Sequence, residues 1–109
     1  LYRRALEGRE RVLGADHPET LESVYSLGIF LNKQNRRPEA VKLLRSYASH
    51  SAEAEDIMGY NLACFECLEG NTDGAKRLIG EHLRKHPEKK ESALKDEDFA
   101  AIRDWIRKL

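Results

Sequence analysis

Shifted against itself by 35 residues, the chain lays "VYSLGIFLNKQNRRPEAVKLL" (24–44) over "GYNLACFECLEGNTDGAKRLI" (59–79). Leu27 falls on Leu62, Gly28 on Ala63, Asn35 on Gly70, Ala40 on Ala75, Leu43 on Leu78 and Leu44 on Ile79. The residue class is kept at each pair: large apolar, small, turn former, small, large apolar. A period of about 20 to 50 residues is the mark of a solenoid, in which each unit buries its apolar face on the next. No other feature of the sequence narrows the fold as far.

Within each copy the apolar period is helical. Leu21, Val24, Leu27, Gly28 and Leu31 recur at spacings of three and four, one face of a helix. "NKQNRRPE" interrupts, with Pro38 suited to a first helical turn. Ala40, Leu43, Leu44 and Tyr47 then resume the pattern. The second copy runs through Tyr60, Leu62 and Ala63, breaks at "EGNTDG", and resumes at Ala75, Leu78, Ile79 and His82. Asn71, Thr72 or Asp73 can cap its second helix, because a short polar side chain accepts an orphan amide hydrogen bond. Gly28 or Ala63 on one helix, and Ala40 or Ala75 on the other, let two backbones approach closely. Ala40→Leu or Ala75→Leu is expected to cost about 1–3 kcal/mol in overpacking.

"LESVYSLGIFLNKQNRRPEAVKLL" and "YNLACFECLEGNTDGAKRLIGEHLRKHP" resemble tetratricopeptide repeats. Leu62, Ala63, Gly70, Ala75 and Pro87 meet that family's pattern; in the first copy Asn35 replaces the turn glycine and Ala52 stands in place of the proline. The opening "LYRRALEGRERVLGADHPETL", with Tyr2, Ala5 and the link "LGADHPETL", resembles the second helix of the longer repeats found in kinesin light chains. Periodicity and resemblance together predict an all-α, right-handed solenoid of antiparallel helix hairpins with a C-terminal capping helix. The expected organisation is one domain over 1–109: 1–18 the second helix of a truncated repeat, 19–52 and 53–87 two repeats, and 88–109 a helical cap. Helices are expected near 1–13, 19–34, 37–50, 54–69, 72–86 and 97–108.

The last 22 residues match the repeat poorly. Phe99, Ile102, Ile106 and Leu109 form a stripe at helical spacing with Trp105 beside it, and Asp96 or Asp98 can start that helix. A solenoid needs an end unit with a polar outer face, which Arg103, Asp104, Arg107 and Lys108 supply.

"CFECLEGNTDGAKRLIGEHLRKHP" (64–87) poses a question: two cysteines three apart, then two histidines four apart, have the spacing of a zinc site. The hairpin argues otherwise. Cys67 lies about 5 Å from the turn along its helix, His82 about 15 Å and His86 about 20 Å along the next, at 1.5 Å per residue. Zinc requires all donors at about 2.0–2.3 Å from one point, which rigid paired helices do not allow for these four. A zinc finger also needs an aromatic residue where this chain has Asp73. A redox reading of Cys64-x-x-Cys67 lacks the strand-to-helix context of thioredoxins. The plain reading is two small side chains on a helix face.

Composition excludes several classes. Lys plus Arg and Asp plus Glu number 19 each, so the chain has no basic footprint for nucleic acid. No apolar run approaches the roughly 18 residues of a membrane span, and no signal peptide opens the chain. The first residues already read as mid-helix, an expectation that the chain was cut from something longer. Two cysteines point to no disulfide framework and to a reducing, cytoplasmic setting. His17 and His50, and the acids Glu19, Glu22, Asp96, Glu97 and Asp98, make no nucleophile–base–orienter set. Acids at helix starts follow from the macrodipole. The reading is non-enzymatic, with no cofactor and no metal.

What remains is a binding surface. The resemblance implies that the first helix of each repeat lines a concave groove. That places Glu22, Tyr25, Ser26, Ile29 and Asn32 there in the first copy, and Ile57, Tyr60, Asn61, Cys64, Cys67 and Leu68 in the second. Tyrosines there offer contact area plus a hydroxyl. Tyr25, Ile29 and Ile57 occupy positions where some members carry a basic carboxylate clamp, so that ligand class is not expected. Asn61 matches a light-chain-like groove asparagine, and Ser26 does not. The expected partner is a peptide or partner helix. The alternative is a structural cap for a longer array with no ligand of its own. The face of the opening helix bearing Leu1, Ala5 and Leu6 is expected to promote self-association.

Overall fold

A computed structural model describes residues 17–109 together with Gly8, Arg11 and Gly14. The expected helix over 1–13, and its self-association face, fall outside these residues apart from Gly8 and Arg11, whose backbone is helical. Among the described residues there is no strand, and no helix is long and apolar enough to cross a membrane. The fold is all-α and tetratricopeptide-like, and the chain divides into two compact units, Leu1–Met58 and Gly59–Leu109.

The first unit contains a helix hairpin. Helix α1 (Pro18–Lys33) starts with proline in its first turn, and His17 Nδ1 accepts the amide of Glu19 at 3.1 Å. It buries Leu21, Val24, Leu27, Gly28 and Leu31, the stripe its period predicts, and Thr20 as well. The helix closes at Asn35, whose φ of 61° is left-handed. The Arg36 amide donates to the Leu31 carbonyl at 2.9 Å and the Asn35 amide to Asn32 at 3.1 Å, which satisfies two orphan carbonyls. Helix α2 (Arg37–Ala48), with Pro38 in its first turn, returns and buries Ala40, Val41, Leu44 and Ala48. A Cβ on Gly28 would stand 2.9 Å from Leu44 Cδ2, so a larger residue there would push Leu44 aside. Ser51 Oγ then accepts the Ala54 amide at 3.0 Å at the start of α3 (Ala52–Leu68).

The second unit repeats these devices. The part of α3 within it buries Leu62, Ala63, Cys64, Phe65, Glu66 and Cys67. Gly70, 35 residues after Asn35, has φ 86°. The Asn71 amide donates to the Glu66 carbonyl at 2.9 Å and the Gly70 amide to Cys67 at 3.1 Å, the same closing pattern as in the first hairpin. Asn71 is the cap of α4 (Thr72–Lys85): its Oδ1 accepts the Gly74 amide at 3.2 Å. Its Nδ2 donates to Glu66 Oε2 at 2.7 Å, which satisfies a carboxylate that is otherwise buried. Helix α4 buries Ala75, Ile79 and Leu83.

The tail departs from the expected single helix over 97–108. A 3₁₀ turn (Pro87–Lys89) leads into α5 (Lys90–Lys95), a stretch to which the sequence reading assigned no helix. A 3₁₀ segment (Glu97–Ile102) and α6 (Arg103–Arg107) follow. Asp96 Oδ1 accepts the Asp98 amide at 3.0 Å and starts the tighter coil. Three residues per turn eclipse Phe99 and Ile102 on one side, and the return to α pitch carries the stripe on to Ile106. All three are buried, whereas Leu109, past the end of α6, is 54% exposed and leaves the stripe. Trp105 lies against α4, where a Cβ on Gly80 would stand 3.3 Å from its Cη2. The Lys76 ammonium sits 5.9 Å from the Trp105 ring centre.

Candidate functional site

In the first copy the expected groove residues run along α1 opposite its buried stripe. Glu22 and Tyr25 are exposed, with Tyr25 at 37%, and Ser26, Ile29 and Asn32 are half-buried. Asn32 is engaged within the hairpin, where its Oδ1 accepts Arg37 Nε at 2.8 Å. Ile57, on α3 in the same unit, is exposed. Phe30, also exposed, was absent from the sequence-derived set; its position one turn beyond Ser26 was the available signal.

The equivalents in the second copy have a different fate. The Tyr60 hydroxyl donates to Asp96 Oδ2 at 2.8 Å, and its ring meets Phe99 edge-on at 5.4 Å and 80°. Cys64 Sγ is 3.9 Å from the same Asp96 oxygen. The backbone of Ala101 hydrogen-bonds the Cys67 sulfur. Both cysteines are free thiols and buried. Asn61 is half-buried and Leu68 exposed. The tail therefore lies on Tyr60, Cys64 and Cys67, the 35-residue counterparts of Tyr25, Ile29 and Asn32.

This cover shapes the electrostatics. Burial pushes the Cys64 thiol well above its ordinary range, and the negative charges of Asp96 and Asp98 push it further. Burial likewise raises the Tyr60 hydroxyl, reinforced by its hydrogen bond to Asp96. Cys67 is raised by burial, with the Ala101 contact acting in the opposite sense. These are protonated, poorly nucleophilic thiols.

The Cys–His spacing is now resolved into two places. Among the described residues, no cluster of metal-ligand type joins a cysteine to a histidine. Cys64 groups with Asp96 and Asp98. Both Asp96 oxygens already hold protein donors there, Oδ1 the Asp98 amide and Oδ2 the Tyr60 hydroxyl, so this is a helix cap. His82 and His86 pair with each other on α4, ring centres 4.8 Å apart. His17 is the cap of α1, and His50 stacks on Tyr47 at 5.7 Å.

Residues 1–19 match a family model described as tetratricopeptide repeat. Most of that stretch lies outside the described residues, and the match does not extend over the two hairpins. No curated protein and no solved structure matches the chain.

Proposed function

We propose that this chain, tetratricopeptide-like in fold and matched to that repeat at residues 1–19, is a protein-interaction module. It binds a peptide or partner helix on the groove face of its first described hairpin. The observation that carries this reading is the accessible stripe of α1. Tyr25 and Ile29 lie one turn apart, away from the residues α1 buries, and Tyr25 is exposed. A rigid aromatic with a polar tip gives large contact area at low entropic cost. Of the eleven residues assigned to the groove, Tyr60, Cys64 and Cys67 are given to the tail, which centres binding on Tyr25, Ser26 and Ile29. A cytoplasmic setting belongs to the same proposal.

Photocrosslinkers at positions 25 and 29, compared with Lys42 on the exposed side of α2, test it. The expected result is a discrete partner band from 25 and 29 that is absent from 42. Equal labelling from all three positions sinks the reading.

The second reading, a terminal cap with no ligand of its own, is favoured by the buried seat of Phe99, Ile102 and Ile106. It predicts that deleting 97–109 unfolds the second unit while Tyr25→Ala loses no partner.

A further inference from the structure

We propose that His82 and His86 form a two-ligand site for a divalent transition metal of the nickel, copper and zinc group. They lie one turn apart, in the last turn of α4 and at its C-cap. Their ring planes are tilted by 40°, and a ring nitrogen of one lies within 4.8 Å of a ring nitrogen of the other. An ion at about 2.0–2.1 Å from each nitrogen needs the two about 3 Å apart. Histidines four apart share one helix face, the spacing at which two imidazoles can converge on one ion by turning about their side-chain torsions.

The surroundings hold both rings. His82 Nδ1 is buried, on the side of Gly59, where a Cβ would stand 3.6 Å from it. His86 Nδ1 faces Glu88 Oε1 at 3.6 Å. A carboxylate beside the ring orients a metal-bound imidazole. The edge of the Tyr60 ring lies against His82 at 5.7 Å and 67°, which steadies the other ligand. The negative end of the α4 dipole adds a field that favours a cation. Paired imidazoles select borderline transition metals over magnesium or calcium, and water completes the coordination. The site stands apart from the groove reading, because α4 is the returning helix of its hairpin.

The test titrates the 109-residue chain with Ni²⁺ and with Zn²⁺ by calorimetry, Mg²⁺ serving as control. Paramagnetic broadening by Ni²⁺ in amide spectra locates the ion. One site is expected, with broadening centred on residues 82–88. His86→Gln is expected to weaken Ni²⁺ binding by at least about tenfold and Glu88→Gln by a smaller factor, while His50→Gln leaves it unchanged. Broadening centred on Cys64 and Cys67, on His17 or on His50, overturns the proposal. So does equal affinity in His86→Gln, a change at the C-cap that leaves the buried face of α4 intact and decides the matter even if His82→Gln fails to fold.

Discussion

The hydroxyl of Tyr60 donates to Asp96 Oδ2 at 2.8 Å, linking α3 to a residue 36 positions later. The same Asp96 starts the 3₁₀ segment through its other oxygen, so one side chain both begins the tail's last coil and fastens it.

Removing the hydroxyl alone should therefore be costly. Tyr60→Phe is expected to lower stability by about 1–2 kcal/mol, since the lost bond is to a carboxylate in a part-buried setting. Phe99→Ala removes a fully buried ring and is expected to cost about 3–5 kcal/mol. Urea denaturation followed by circular dichroism measures both, and an unchanged midpoint for Tyr60→Phe would show that the bond contributes nothing.

Close helix approach in the first hairpin rests on Gly28. A Cβ there would meet Leu44 Cδ2 at 2.9 Å, and Leu44 is itself fully buried. Gly28→Val is expected to destabilise by about 1–3 kcal/mol. Adding Leu44→Ala should recover part of that loss, a coupling that a double-mutant cycle reads directly.

The two left-handed turn residues make opposite predictions. Asn35→Gly keeps φ 61° without a Cβ penalty and is expected to stabilise by about 0.5–1 kcal/mol. Gly70→Ala forces a Cβ into φ 86° and is expected to cost about 1–2 kcal/mol. Thermal melts of both variants should move in opposite directions.

Alkali should weaken the second unit. Burial raises the thiols of Cys64 and Cys67, so the folded state keeps protons that the unfolded chain releases above about pH 8.5. Stability is then fully present below that pH and declines as pH rises past it. Tyr60, also raised, adds to the fall above about pH 10. Denaturation midpoints from pH 7 to 10.5 test the slope. At pH 8, Ellman's reagent should label the cysteines only as fast as the protein opens; immediate labelling of the folded chain would contradict their burial.

The four helices from Pro18 to Lys85 were legible because their information is local. Apolar spacing marked the buried stripes, Asn35 and Gly70 marked the turns, and Asn71 and Pro38 marked helix starts. The exposed face of α1 was legible for the same reason, as the complement of what α1 buries. The tail was only half legible. Phe99, Ile102 and Ile106 could be picked out as apolar, but not the change of pitch that aligns them, nor the exit of Leu109.

By itself the sequence determined two helix hairpins, since the 35-residue offset places small residues at matching positions on the helices of each. Tertiary structure alone decided the use of each copy's outer face. Tyr25 and Tyr60 are the same residue type at equivalent positions, yet one remains accessible and the other is bonded to Asp96. That difference comes from a contact 36 residues away in the chain, and no local pattern encodes it.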